Sequence, residues 1–112
     1  MTTGQAEFEA ICEHFAGQYE DVTRGRMMSS PGLRYRGRVF AFFHRDKMVF
    51  RLGEGFDIEA FGISDYGLLS PFKKKPALRA WFEIPTSELQ HWRPLAERAL
   101  EFMRGTVARS LR

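Results

Sequence analysis

The stretch from Arg38 to Leu52, RVFAFFHRDKMVFRL, leaves the chain few conformations. Residues 39–43 and 48–52 are rich in β-branched and aromatic side chains, and His44-Arg45-Asp46-Lys47 between them is polar and turn-compatible, so the stretch predicts a β-hairpin. Whether the loop holds two residues or four, Phe43 falls opposite Met48, and side chains alternate faces from that pair. Val39, Ala41, Phe43, Met48, Phe50 and Leu52 are thereby assigned to one face. The other carries Phe40, Phe42 and His44 beside Lys47, Val49 and Arg51, a mixed surface where a fully solvated face would be polar.

Residues 78–84 divide in the same way. Leu78, Ala80, Phe82 and Ile84 are assigned to the core, and Arg79, Trp81 and Glu83 to the opposite face. If the strands are neighbours, Phe40, Phe42, Val49 and Trp81 form one apolar patch with Arg51 beside it. Large exposed apolar patches are uncommon in monomers. Either a helix of the same chain covers this one or a partner or second subunit does.

Around these strands the chain reads as helix, four strands, short helix, loop, one or two strands, helix. Over residues 5–21, Phe8, Ile11, Cys12, Phe15 and Tyr19 recur at three- and four-residue steps, the stripe of an amphipathic helix. Residues 24–30 read as a strand closed by the turn dipeptide Pro31-Gly32, and residues 33–35 begin the next. Arg36-Gly37 suits a two-residue reverse turn into the hairpin. Residues 56–61 read as a short helix ended by Gly62, with Asp57 and Glu59 near its positive end. Residues 64–76 are a surface loop in which Leu68-Leu69 pairs briefly. Thr86 or Ser87 suits a helix cap, with Ser87 and Gln90 in capping-box spacing. The main helix then carries Pro94 in its first turn and Leu95, Ala99, Phe102, Met103 and Val107 on its apolar stripe. Gly105 is a stop signal, which leaves 105–112 as a frayed tail. The class is α+β, a two-layer antiparallel sheet with helices packed on it, in a single domain over residues 1–112.

A chain of 112 residues, 44% of them hydrophobic and eleven of them Phe, is long enough for a real core. One cysteine, Cys12, forbids an intrachain disulfide, and no Cys/His spacing resembles a zinc site. The first ten residues lack the basic and apolar regions of a signal peptide, and no apolar run approaches the ~18 residues of a membrane span. The expectation is a cytoplasmic protein without cofactor or metal.

Net charge is +3, unevenly distributed. Residues 1–23 hold five acids and no Lys or Arg, so the rest carries 17 minus 9, or +8. That asymmetry permits a polyanionic partner. Arg24, Arg26, Arg34, Arg36 and Arg38 cluster along adjacent strands and turns, and Lys73, Lys74 and Lys75 add a basic loop.

The succession Arg26-Met27-Met28-Ser29-Ser30-Pro31-Gly32-Leu33, then Arg36-Gly37-Arg38-Val39-Phe40-Ala41, then Met48-Val49-Phe50-Arg51-Leu52 resembles the TfoX N-terminal domain family and its YjbR-type relatives. Trp81 within its strand, and Trp92 ahead of Leu95-Ala96-Glu97-Arg98-Ala99, fit the same pattern. The sequence departs from it at Met27-Met28-Ser29, where Met-Phe-Gly is usual, and at Arg51, where a lysine is usual. The resemblance implies a fold similar to that of secretion chaperones, dimerisation, and a link to transcriptional regulation or DNA binding. It carries no catalytic residue across.

The leading expectation is a non-enzymatic interaction or regulatory module, homodimeric, using Phe40, Phe42, Val49, Arg51 and Trp81, aromatics flanked by arginine in the manner of an interface. The alternative is nucleic-acid binding through the Arg24–Arg38 cluster and the three lysines. Catalysis and small-ligand binding come last. His14, His44 and His91 fall on separate elements, and no nucleophile, base and orienting group assemble from the sequence. Gly53-Glu54-Gly55 lacks the remaining residues of a phosphate loop.

Overall fold

A computed structural model describes residues 2–69 and 78–110. Helix α1 (Thr3–Gln18) opens with a capping box, the Thr2 hydroxyl accepting from the Gln5 N–H and the Gln5 side chain accepting from that of Thr2. Strands β1 (Val22–Met27), β2 (Ser30–Tyr35), β3 (Arg38–His44), β4 (Lys47–Arg51), β5 (Gly67–Leu69) and β6 (Leu78–Pro85) form one antiparallel sheet in the order β1-β2-β3-β4-β6-β5. A 3₁₀ segment (Thr86–His91) leads into helix α2 (Trp92–Ser110). The α+β class and the antiparallel sheet are as the sequence implied.

Both tight turns of the central hairpins use left-handed backbone. Arg36 and Gly37 lie at φ 49° and 84°, Arg45 and Asp46 at 52° and 61°, the twist that two-residue hairpins require. The loop between β3 and β4 is thus two residues, and Phe43 pairs with Met48. The β1–β2 turn differs from expectation. It falls at Met28-Ser29, with Met28 at φ 56°, while Pro31 and Gly32 lie inside β2. Gly32 serves close approach there: a Cβ would collide with the Ala41 carbonyl and come within 2.7 Å of the Phe42 Cβ.

Residues 56–61 form consecutive turns, not the expected helix. Phe61 and Gly62 donate to the carbonyls of Ile58 and Glu59, and the Ala60 N–H donates to the Asp57 carboxylate. Gly53, Gly55 and Gly62 all have positive φ, so the segment between them is too short to repay helix nucleation. At the other end Gly105 does not stop α2, which continues to Ser110 because Val107 still reaches the core. Neither Thr86 nor Ser87 caps a helix; the Ser87 hydroxyl donates to Asp65 instead.

Both helices pack on one face of the sheet. Phe8, Ile11, Cys12 and Phe15 of α1 and Trp92, Leu95, Ala99, Leu100 and Met103 of α2 are buried against Leu33, Phe40, Met48, Phe50, Phe82 and Ile84. A second, smaller apolar cluster, Phe42, Val49 and Leu69 with Met27, Val39 and Trp81 around it, occupies the opposite face. Leu78, assigned to the core, is exposed. No helix among the described residues is long and apolar enough to cross a membrane.

Candidate binding surface on the open sheet face

Strand register arranges the open face in rows. Gly32, Phe42, Val49, Glu83 and Gly67 line up across β2, β3, β4, β6 and β5. Two residues further along each strand, Ser30, His44 and Lys47 make the next row toward the β3–β4 turn. On the other side of the central row, Arg51 pairs with Trp81.

A β-bulge controls which side chains reach this face. Leu33 pairs with Ala41 but Arg34 pairs with Val39, so Phe40 is the extra residue. Phe40 and Ala41 then both enter the helix-side core, and Val39 turns to the open face. This corrects the expected partner face, which included Phe40 and set Val39 on the opposite side: strict alternation has no allowance for an inserted residue. Phe42, Val49, Arg51 and Trp81 do share the open side. Phe42 and Val49 are nonetheless buried, closed in by Leu69 and Trp81. The rings of Phe42 and Trp81 lie 5.6 Å apart. The Arg51 guanidinium sits 5.9 Å from the Trp81 ring centre and 5.6 Å from that of Phe102, with its Nε buried and unpartnered among the described residues.

The arginine cluster does not form one patch. Arg24 lies on the helix side, where it makes two bonds to the Glu9 carboxylate at 2.8 and 2.9 Å and hold that carboxyl below its ordinary value. Arg26 donates to the Ser29 carbonyl. Arg34 lies on the opposite face, donating to the Thr23 hydroxyl and lying over Gly25. Arg36 pairs with Asp21 at 3.2 Å, and Arg38 is exposed. Lys73, Lys74 and Lys75 lie outside the described residues.

Among the described residues no group of three His, Cys, Asp or Glu converges. Asp57, Glu59 and Asp65 are taken up locally by Ala60, Tyr66 and Ser87. Cys12 is fully buried, and burial pushes its thiol up to about 11, which leaves it un-ionised at neutral pH.

What the sequence reading missed is the polar half of the open face. Ser30 and His44 share a hydrogen bond, Oγ to Nδ1 at 2.9 Å, at the end of a groove of about 440 Å³ whose lining includes Met28, Phe42, Arg45, Lys47, Leu69 and Glu83. Continuing the β2–β3 register past the bulge is what sets His44 opposite Ser30. No family model, no curated protein and no solved structure matches this chain.

Proposed function

We propose that the protein is a non-enzymatic interaction module that works as a homodimer through the open face of its sheet. One observation carries this reading: α1 and α2 both pack on the same face, while the opposite face bears its own apolar cluster rimmed by Val39, Met27 and Trp81. Aromatic and arginine side chains at the centre of such a face are the composition of interaction hot spots. Arg51, held between two rings, is pre-organised there at little further cost in side-chain entropy. The resemblance to TfoX N-terminal domains adds an expectation of dimerisation and a regulatory context. A reducing cytoplasm suits the lone, buried Cys12.

Light scattering over a concentration series tests the reading. The expected mass is twice the 13.0 kDa of the chain, falling to a single chain in Val39→Glu without loss of helical signal. A wild-type protein that stays at 13.0 kDa throughout overturns it. Duplex DNA added at two salt concentrations tests the alternative, nucleic-acid binding through the Arg24–Arg38 cluster with Lys73, Lys74 and Lys75. A complex that weakens steeply with salt would favour that alternative.

A further inference from the structure

The groove at the β3–β4 end of the open face has chemistry that dimerisation does not use. Its floor is apolar, formed by the buried rings and methyls of Phe42 and Leu69, with Met28 exposed at the lip. Its size, about 440 Å³, falls within the range of small-molecule sites. Ser30 and His44 present a hydrogen-bonded pair at one end.

Charges of both signs line this groove, Arg45 and Lys47 at the β3–β4 end and Glu83 on β6, and Lys47 and Glu83 are unpaired among the described residues. Lys47 stands beside His44 in the register, and Glu83 stands on the neighbouring β6, two residue pairs further along on the same face. Diagonal neighbours on one sheet face lie about 7–8 Å apart, within reach of long side chains. Yet the ion pairs among the described residues are Arg24–Glu9, Arg36–Asp21, His91–Glu88 and Arg98–Glu101, and none engages Lys47 or Glu83. A cation and an anion set apart over an apolar floor are complementary to a molecule that carries the reverse arrangement.

We propose that this groove binds a small zwitterion with an apolar side chain, of which an apolar α-amino acid is the simplest example. Its carboxylate meets Lys47, with the Ser30–His44 pair offering a further hydrogen bond. Its ammonium meets Glu83, and its side chain covers Phe42 and Leu69. The inference shares Phe42 and Leu69 with the proposed dimer face but rests on Lys47, Glu83 and the Ser30–His44 pair, which lie away from Val39, Arg51 and Trp81.

Calorimetric titration with L-leucine and L-phenylalanine tests it, alongside N-acetyl-L-phenylalanine, which lacks the ammonium, and L-phenylalaninamide, which lacks the carboxylate. The expected result is saturable binding of at least one free amino acid, with each neutralised analogue of phenylalanine at least tenfold weaker than phenylalanine where that is the ligand bound. Lys47→Met should abolish discrimination against the amide, and Glu83→Gln discrimination against the acetylated form. Both positions are solvent-accessible, so the variants should keep the wild-type melting curve, which is recorded with each titration. Absence of binding by both free amino acids overturns the proposal, as does binding that is indifferent to either missing charge.

Discussion

Ser30 and His44 touch across the open face because Phe40 is inserted between the β2–β3 turn and their position on the strands. Paired without the bulge, Tyr35 with Arg38 and Arg34 with Val39 would continue to Ser30 opposite Phe43, a side chain of the helix-side core. One extra residue therefore moves an aromatic into the core and brings a hydroxyl and an imidazole together on the other side. The bulge couples the packing of the domain to the polar end of its groove.

Gly32→Ala tests that coupling. The added methyl has no room between the Ala41 carbonyl and Phe42, both backbone-fixed at the bulge. Overpacking of this kind costs about 1–3 kcal/mol. The midpoint of urea unfolding should fall accordingly, and the His44 ring resonances should shift as β2 moves away from β3. An unchanged midpoint would mean that the two strands separate without cost there.

Much of this architecture is legible in the sequence because it is local. The polar turn between β3 and β4, the Phe43–Met48 pairing and the core stripe of α1 follow from turn chemistry and periodicity alone, while the loop's length of two residues does not. Phe40 was misplaced because period-two alternation cannot anticipate an inserted residue, and nothing at Phe40 itself marks a bulge. The one available signal is Gly32, a glycine inside a strand, which often marks close backbone approach, but beside Pro31 it has the look of a turn. The expected helix at 56–61 failed for a different reason. Its acids suited a helix start, but its flanking glycines and the Asp57 side chain satisfy the backbone in turns instead. The groove stayed hidden because Ser30, Lys47 and Glu83 come from three strands and meet only through register.

Glu88 is a second long-range tie, and it makes stability depend on pH. Its carboxylate accepts from the N–H groups of both Ser64 and Asp65 at 2.9 Å, fastening the 53–66 segment to the 3₁₀ segment. These backbone bonds, first that of Asp65 and then that of Ser64, hold its pKa below the ordinary 4.5. A carboxyl with a depressed folded pKa contributes stability above the unfolded value and loses it as pH falls through the folded one. Wild-type stability should therefore decline below pH 4.5, and Glu88→Gln should show lower stability at neutral pH with a flatter acid limb. Parallel acid limbs in the two proteins would remove Glu88 from this role.

Arg24→Ala should cost little, despite its two short bonds to Glu9. The side chains are 49% and 44% exposed, so water and salt screen the pair. Exposed pairs are worth about 0.2–1 kcal/mol. Thermal unfolding at low and high salt should show a small difference between wild type and variant that shrinks as salt rises.

Arg51 separates folding from association. Its guanidinium lies against Trp81 on the open face and Phe102 on α2, so it contributes to the monomer as well as to the proposed interface. Exposed to partly desolvated cation–π contacts are worth about 0.5–2 kcal/mol. Arg51→Ala should lower the dimer association constant by a larger factor than it lowers the folding constant of the isolated chain. Sedimentation across a dilution series gives the first quantity and denaturant unfolding below the dissociation concentration gives the second. Equal losses in both would make Arg51 a residue of the fold alone.

Cys12 reports on the opening of the whole helix-side core. It lies fully buried between α1 and the sheet, and desolvation raises its thiol to about 11. Thiolate is the reactive form, so labelling at pH 8 requires both exposure to solvent and return of the pKa to its unfolded value. Native protein should react with a thiol reagent at a small fraction of the rate seen in denaturant, and the rate should rise with the population of the open state. Because α1 and α2 share that core, a variant that shortens the α2 stripe, Met103→Ala, should accelerate labelling of Cys12 on a helix it does not belong to. Large-to-small changes at such sites cost about 2–5 kcal/mol, so the acceleration should be at least tenfold if the core opens as one unit. Labelling unaffected by Met103→Ala would instead mean that α1 detaches from the sheet by itself.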